Sequence, residues 1–463
     1  MLDPRQIQQL HSLLETQRVA TDVATLQSHG LDWTRYYTPA PAAVVFPKTT
    51  EEVAALVRWA TQEKVALVPS GGRTGLSGGA VATQGEVVVS FDRMNAILDF
   101  NPVDRTVRCQ AGVVTAQLQD FAADRGLYYP VDFASSGSSQ IGGNIATNAG
   151  GIKVVRYGMT REWVAGLKVV TGTGEVLELN QGLAKNNTGY DFRHLFIGSE
   201  GTLGFIVEAT MRLTRPPAPL SVMVLAVPAL AGIMEVFNAF RQRLDLTAFE
   251  FFSEKALRHV LARGQVQRPF EGESDYYVLL EFECVNSTTE ETALSLFEEC
   301  MEAGWLVDGV LSQSEEQARA LWRLREDISE SITPYRPYKN DIAVRVSAVP
   351  PFVEALDAVL AREYPDFEVV WFGHIGDGNL HINVLKPDAL ALDGFREACE
   401  RVNAEVFALV RRFGGSMSAE HGVGLLKRDY LDVTRSPEDI ALMRGVKAVF
   451  DPLGIMNPGK LLA

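Results

Sequence analysis

Three glycine-rich segments in the first half of the chain constrain its fold more than any other feature. They are residues 69–79 (PSGGRTGLSGG), residues 135–151 (SSGSSQIGGNIATNAGG) and residues 198–206 (GSEGTLGFI). Glycine accepts positive φ and allows close approach to the backbone, so such a loop after a strand can turn successive N–H groups toward an anion. One segment alone is most simply a tight turn. Three, separated by an ordinary α/β pattern, indicate a large flat ligand lying on the backbone.

The common nucleotide-binding signatures do not account for these segments. Residues 69–79 lack the GxGxxG spacing of a dinucleotide-binding loop and the Lys-Ser/Thr ending of a P-loop.

Composition limits the class of protein and of partner. A chain of 463 residues is too long for one core, and a charged fraction of 22% with a hydrophobic fraction of 46% is typical of globular domains. The net charge of -15 disfavours nucleic acid and anionic membrane surfaces as partners. Four cysteines without a CxxC pair, and an N-terminus without a basic start and apolar run, predict a reduced, cytoplasmic protein.

The order of predicted elements indicates two domains after a short helical lead-in that ends near Trp33. A strand (VVFP), a helix over residues 49–64 with Thr50 as its N-cap, and a strand entering the first glycine segment open the first domain. A second α/β block follows, and prolines at 216, 217 and 219 mark its end. The segments SVMVLAVP, YYVLLEFE and VVWFGHIG predict strands beyond that boundary.

The motifs PSGGRTGLSGG, IGGNIATNAGGIKVVRYG and FIGSEGTLG resemble the FAD-binding domain of vanillyl-alcohol-oxidase-type (PCMH-type) flavoproteins, and most closely the D-lactate and D-2-hydroxyglutarate dehydrogenases. The resemblance runs from about Pro39 to the C-terminus. It implies an α+β fold with a lead-in at 1–38, an FAD-binding domain of two subdomains at 39–218, and a substrate- and metal-binding domain with an antiparallel sheet at 219–463. The tail from about 415 is expected to return to the flavin.

The resemblance also implies the FAD-binding residues. Members with covalent flavin often carry His where this chain has Arg73, which predicts non-covalent FAD. The implied residues are Pro69, Ser70, Gly71, Gly72, Arg73, Thr74, Gly75, Leu76, Ser136, Gly137, Gly142, Gly143, Asn144, Ala146, Thr147, Asn148, Gly150, Gly151, Tyr157, Gly158, Glu200, Gly201, Gly204, Ile206 and Asn457.

A histidine pair lies in a predicted β-hairpin over residues 369–384 (VVWFGHIGDGNLHINV), because two apolar runs flank an Asp-Gly dipeptide. Counting outward from a two-residue loop pairs His374 with His381, with Cβ atoms ~4.5–5.5 Å apart on one face. Asn383 shares that face. Two imidazoles at this distance either chelate a metal or form a hydrogen-bonded cross-strand pair.

A carboxylate and a third histidine follow in the motif SAEHG. Two His and one carboxylate make a site with open positions, typical of catalytic Zn²⁺ and also usable by Mn²⁺, Co²⁺ or Fe²⁺. The resemblance implies that His374, His381 and Glu420 are the metal ligands and that His421 is the general base.

A cation on an apolar stripe suggests a second anion site. Residues 315–332 predict one helix whose apolar stripe contains Arg325, and such an arginine either pairs with an anion or extends to water. The resemblance implies that Arg325, Ser329 and Lys339 bind the distal carboxylate of the substrate. The hydroxyl position is Thr in the family pattern and Ser329 here.

The implied activity is FAD- and metal-dependent oxidation of D-2-hydroxyglutarate, and also of D-malate, to the 2-oxo acid. The metal and Asn383 would hold the C1 carboxylate and hydroxyl, His421 would take the hydroxyl proton, and the C2 hydride would pass to flavin N5. Alternatives are a D-lactate or glycolate dehydrogenase without the Arg325 and Lys339 pair, a non-redox flavin-dependent transferase, and a binding module. By analogy the electron acceptor is electron-transfer flavoprotein or a quinone, and a homodimer is one compatible assembly.

Overall fold

The computed structural model describes residues 2–34 and 36–462, which divide into two units. The first unit combines Met1–Gly150, Gly158–Pro216 and Glu420–Ala463. The second combines Gly151–Tyr157 and Pro217–Ala419. The division at Pro216 falls in the proline run, and residues 1–38 fall within the first unit.

A small, mostly parallel sheet opens the first unit. Its strands pair in the order β1-β2-β4-β3, with β1 antiparallel and the others parallel. The strands are β1 (Val19–Ala20), β2 (Ala43–Val45), β3 (Leu67–Ser70) and β4 (Val87–Ser90), and the helices are α1 (Pro4–Leu13), α2 (Val23–His29) and α3 (Thr50–Glu63).

Helix α3 shows how the sequence sets this layer. Val53, Leu56, Val57 and Ala60 share one helical face, and all are buried with the sheet in one core. The N-cap is Thr49, whose side chain accepts from the backbone of the third helical residue, so the prediction of Thr50 was wrong by one position.

The second sheet of the first unit is antiparallel, in the order β5-β6-β9-β7-β8. Its strands are β5 (Ile97–Asn101), β6 (Thr106–Gln110), β7 (Val164–Thr171), β8 (Val176–Leu179) and β9 (Gly204–Arg212). The remaining helices of this unit are α4 (Thr115–Ala123), α5 (Ile141–Thr147), α7 (Thr160–Trp163), α8 (Arg193–Phe196) and α16 (Pro437–Phe450).

One antiparallel sheet organises the second unit, in the order β13-β10-β12-β11-β15-β16-β14. Its strands are β10 (Leu220–Val227), β11 (Leu246–Ser253), β12 (Tyr276–Glu283), β13 (Asp308–Leu311), β14 (Tyr338–Ala343), β15 (Val369–Gly373) and β16 (Asn379–Val384). Its helices are α6 (Val154–Tyr157), α9 (Leu230–Arg243), α10 (Glu254–Leu261), α11 (Ser287–Glu302), α12 (Glu315–Glu326), α13 (Ile328–Ile332), α14 (Val349–Glu363) and α15 (Leu392–Arg412).

The predicted α+β class and the antiparallel sheet of the second domain are confirmed. Every residue of the central strand β11 is buried, and the α12–α13 pair packs with this sheet in a shared core. Across residues 2–34 and 36–462, no helix has the length and apolar composition that a membrane span requires.

Candidate functional site

The three glycine segments, which belong to the first unit except for Gly151, pack against one another. A Cβ on Gly72 would lie 2.2 Å from the carbonyl oxygen of Ser138, so the first and second segments touch through bare backbone. A Cβ on Gly201 would lie 2.7 Å from Pro69 Cγ, which joins the third segment to the first. Larger residues at Gly72 and Gly201 would separate the segments.

The assembled segments present open backbone and unused polar atoms. A Cβ on Gly137 or Gly143 would meet nothing within 4 Å. Ser70 Oγ, Gln140 Oε1 and Asn457 Oδ1 are buried and have no hydrogen-bond partner among the described residues. Buried polar atoms without a protein partner generally bond to water, an ion or a ligand. The segments therefore fit a large ligand with many donors and acceptors, as FAD is.

Arg73 belongs to an ion pair that links two of these segments. Its Nη1 donates to Gly71 O at 2.9 Å and lies 3.2 Å from Asp92 Oδ2, and Gln140 Nε2 donates to the same carboxylate at 2.8 Å. Burial disfavours the charged form of Asp92, but the hydrogen bond from His29 and the charge of Arg73 lower its pKa to about 2. The Asp92 carboxylate thus holds the loop that carries Arg73.

Some residues that the resemblance assigns to FAD have side chains bonded within the protein. Asn144 Nδ2 donates to Thr115 Oγ1 at 2.7 Å, and Asn148 Oδ1 accepts from the backbone of Arg161 at 2.9 Å. Of the implied FAD residues, only Gly151 and Tyr157 fall in the second unit.

The hairpin that carries the histidine pair has a different register from the predicted one. His381 lies opposite Phe372, not opposite His374. The connection spans residues 374–378 and is closed by a bond from Asn379 N to His374 O at 3.2 Å. Gly378 has φ of +88°, and a Cβ there would lie 2.0 Å from the backbone of a neighbouring segment. The prediction of a two-residue loop was therefore wrong.

The two imidazoles nevertheless lie together. His374 and His381 are diagonal rather than direct neighbours, a relation that still allows side chains on one face to touch. Their ring centroids are 5.3 Å apart, with the ring planes at 83°. Because the register differs from the predicted one by an even number of residues, both rings stay on one face.

A carboxylate lies beside the Nδ1 atom of each histidine. His374 Nδ1 is 2.8 Å from Glu250 Oε1, and His381 Nδ1 is 3.6 Å from Asp341 Oδ1. Histidines that bind metals generally donate their other ring N–H to such a carboxylate, which fixes the tautomer and the ring orientation. The bond to Glu250 leaves Nε2 of His374 for ligand binding, whereas Asp341 lies beyond hydrogen-bond distance of His381 Nδ1.

Glu250 is a further residue of this site, and it was not predicted from the sequence. It is almost fully buried on β11. It lies on the same face of the strand as Ala248 and Phe252, which pack against α12. Its one sequence signal is a lone acidic residue in the apolar run LTAFEFFS. A buried carboxylate requires a partner, but the sequence does not say which one.

Arg325 is one of those partners. The predicted single helix over 315–332 is interrupted at Asp327 between α12 and α13, and Arg325 lies buried in the last turn of α12. Its Nη2 lies 2.8 Å from Glu250 Oε2, and its guanidinium lies 4.7 Å from the centroid of Phe372. Its Nε is buried and has no hydrogen-bond partner within the described part of the chain. Glu250 therefore supplies Arg325 with a carboxylate partner inside the protein, in addition to the substrate carboxylate that the resemblance implies.

Lys339 and Ser329 are also brought together. Lys339 Nζ donates to Ser329 Oγ at 3.2 Å. Solvent reaches both side chains, yet the protein packed around the ammonium group lowers the pKa of Lys339 by desolvation. Asn383 is buried on β16, and its Nδ2 lies 3.5 Å from Val370 O.

Glu420 and His421 lie in the first unit, at the start of its last segment. Both are partly buried, and the carbonyl oxygen of His421 accepts from Ser77 Oγ at 2.7 Å. Four residues earlier, Ser416 pairs with Ala343 at the end of β14 in the second unit.

Comparison with known protein families identifies an FAD-binding domain followed by a C-terminal oxidase domain. Residues 41–180 match the model of the FAD binding domain, and residues 216–461 match that of the C-terminal domain of FAD linked oxidases. The chain is 63% identical over its full length to a D-2-hydroxyglutarate dehydrogenase of Stutzerimonas stutzeri, all of which it covers. It is 59% identical to one of Xanthomonas citri, covering 97% of that protein, and 37% identical to the mitochondrial enzyme of Bos taurus, covering 81%.

Solved structures show the same fold. p-Cresol methylhydroxylase superposes with a TM-score of 0.77 at 15% identity, over 99% of this chain and 96% of that one. An alkyldihydroxyacetonephosphate synthase superposes with a TM-score of 0.74 at 18% identity, over 99% and 85%. The predicted vanillyl-alcohol-oxidase-type fold is confirmed. The chain belongs to the FAD-linked oxidase family, as an FAD-dependent oxidoreductase in the branch that contains the D-2-hydroxyglutarate dehydrogenases.

Proposed function

We propose that the protein oxidises D-2-hydroxyglutarate to 2-oxoglutarate with FAD and a bound divalent metal. The observation that carries the proposal is the bridge formed by Glu250, which joins His374 to Arg325 in one buried network. His374, a proposed metal ligand, and Arg325, a cation that can bind a carboxylate, are thus both held by Glu250. The names of the relatives at 63% and 59% identity support the same substrate.

The metal is proposed to bind His374, His381 and Glu420, with Zn²⁺ as the expected ion. The Glu250 carboxylate bonded to Nδ1 of His374 supports this role, because it orients that ring and increases its basicity. When bound, the metal supplies a positive charge that favours ionisation of the substrate hydroxyl. Asn383 is proposed to hold the C1 carboxylate.

His421 is proposed as the general base that takes the proton of the 2-hydroxyl group. An imidazole with a pKa near neutral pH suits this task. FAD, bound non-covalently, supplies the acceptor at N5 for the hydride that leaves C2. The glycine segments are proposed to hold the cofactor in position for the substrate. Holding the two reactants in a fixed geometry lowers the barrier to hydride transfer.

The distal carboxylate is proposed to bind Arg325, Ser329 and Lys339. The buried Nε of Arg325 has no partner in the described residues, and the Lys339 ammonium already lies against the Ser329 hydroxyl. Arginine binds carboxylates through paired, charge-assisted hydrogen bonds. D-Malate carries the same two carboxylates one methylene closer and is proposed as a weaker substrate.

Steady-state rates with a panel of D- and L-2-hydroxy acids and an artificial electron acceptor test the proposal. D-2-Hydroxyglutarate should give the highest kcat/KM, followed by D-malate, with D-lactate well below both. A preference for D-lactate or glycolate would replace the dicarboxylate assignment by that of a short monocarboxylic acid. No flavin reduction by any hydroxy acid would favour a non-redox transferase.

We also propose electron-transfer flavoprotein or a quinone as the physiological acceptor, by analogy alone. Reoxidation of the reduced enzyme by purified electron-transfer flavoprotein, compared with a soluble quinone, distinguishes the two.

A further inference from the structure

Glu200, in the third glycine segment, uses both of its carboxylate oxygens inside the first unit. Oε1 accepts from the backbone N–H of Val423 at 2.7 Å, and Oε2 accepts from that of Gly424 at 2.7 Å. Glu200 is only 6% exposed and has φ of +52°. A buried carboxylate is costly unless its oxygens are hydrogen-bonded, and here two backbone donors satisfy that need.

The loop that Glu200 holds directly follows Glu420 and His421. Gly422 has φ of +76°, and a Cβ there would lie 3.0 Å from Glu200 Oε1. Gly424 has φ of +53°, and a Cβ there would lie 2.1 Å from the carbonyl oxygen of Ser77. Both glycines are therefore needed for the loop to lie this close to its supports.

Ser77, from the first glycine segment, holds the other side of the loop. Its Oγ donates to His421 O at 2.7 Å, and its carbonyl oxygen accepts from Leu425 N at 2.9 Å. Asn457 Nδ2 donates to the carbonyl oxygen of Glu200 and so also holds the backbone of Glu200 in place. The backbone on both sides of Gly422 is thus fixed by residues of two glycine segments.

We propose that Glu200 is a positioning residue for Glu420 and His421, and not an FAD ligand. The functional part of this inference rests on the roles proposed above for Glu420 and His421. Glu200 fixes the two amides that follow them, so the carboxylate and imidazole are presented from a rigid loop. The third glycine segment then contributes to catalysis by holding this loop as well as by packing beside the cofactor.

The test uses the FAD- and metal-loaded enzyme with Glu200→Gln. The amide group of Gln accepts from one backbone N–H but turns its own NH₂ toward the other, so one bond is lost and two donors face each other. Hydrogen exchange of the peptide spanning residues 420–426 should accelerate ~10- to 100-fold. kcat should fall on the order of tenfold or more while KM and FAD content stay near wild-type values.

Two further variants make the result decisive. Glu200→Asp keeps the charge but is too short to reach both amides, so it should give the same acceleration and carries the test if the Gln variant does not fold. The exposed Glu175→Gln should change neither exchange nor turnover. Unchanged loop exchange in both Glu200 variants overturns the proposal, and so does loss of FAD with a protected loop. Because exchange is measured without substrate, it decides this inference even if the substrate assignment fails.

Discussion

Replacing Glu250 by Gln tests the network that links the proposed metal ligand to the proposed substrate cation. In the wild type, one carboxylate oxygen lies 2.8 Å from His374 Nδ1 and the other lies 2.8 Å from Arg325 Nη2. A neutral amide keeps the size but removes the negative charge beside Arg325 and retains one acceptor oxygen. The Arg325 guanidinium therefore loses its counter-charge, and the amide of Gln replaces the carboxylate at His374 Nδ1.

The structure sets the size of the effect. The side chains of Glu250 and Arg325 are 1% and 7% exposed, so solvent screens the pair little. Removing one partner of a buried ion pair costs about 3–5 kcal/mol, because the other charge remains buried without compensation. Loss of the carboxylate behind a metal-binding histidine lowers metal affinity by about 10- to 100-fold. FAD content should not change, because Glu250 belongs to the second unit, whereas the implied FAD residues other than Gly151 and Tyr157 belong to the first.

Metal affinity is measured by competition with a coloured chelator, and stability by chemical denaturation of the metal-free protein. Glu316→Gln, an exposed position on α12, is the matched control and should behave as the wild type. If Glu250→Gln has the metal affinity and stability of the wild type, the carboxylate neither orients His374 nor compensates Arg325, and the reasoning fails.

Four further predictions follow from the same contacts. Arg325→Ala should lose roughly ten- to a hundred-fold in kcat/KM on D-2-hydroxyglutarate, and far less on D-lactate, because a charge-assisted contact is worth about 1.5–3 kcal/mol; equal losses would assign Arg325 to structure or to the C1 group. His381→Ala should lose its metal and its turnover while keeping FAD, as measured by elemental analysis and absorbance. Acid precipitation should release the flavin into the supernatant, since Arg73 forms no covalent bond to it; a yellow pellet would contradict this. Asp92→Asn should destabilise the first unit by about 1–2 kcal/mol at pH 7. Because folding lowers the pKa of Asp92 to about 2 from an ordinary value of 3.8, this stabilisation is present above about pH 4 and is lost as the pH falls toward 2; a variant as stable as wild type at pH 7 would rule it out.

The parts of the fold that local sequence determines were predictable. The glycine segments can be recognised in the sequence because positions in close backbone contact exclude a side chain. The contact between Gly72 and the carbonyl oxygen of Ser138 is an example. The apolar face of α3 follows from helical spacing. The N-cap of α3 could not be predicted in the same way, because Thr49 and Thr50 are both suitable capping residues. The extended backbone of Thr49 in the folded protein distinguishes them.

The parts that depend on distant residues were not predictable. Asp-Gly favours a two-residue turn, but the observed connection spans residues 374–378, and Gly378 packs against the backbone of Val344, which is distant in sequence. Glu250 meets a histidine 124 residues away, and no local pattern encodes that pairing. Glu250 also forms an ion pair with Arg325, so Arg325 has a counterion within the protein when no substrate is bound.

We propose above that a D-2-hydroxy dicarboxylate reduces the flavin of this protein at a metal-dependent site. The most direct test is anaerobic titration of the FAD-loaded enzyme with D-2-hydroxyglutarate, followed by flavin absorbance, before and after removal of the metal by a chelator. We expect complete bleaching of the metal-loaded enzyme, none after chelation, and recovery when Zn²⁺ is returned. Full bleaching of the metal-free enzyme at the same rate would contradict it.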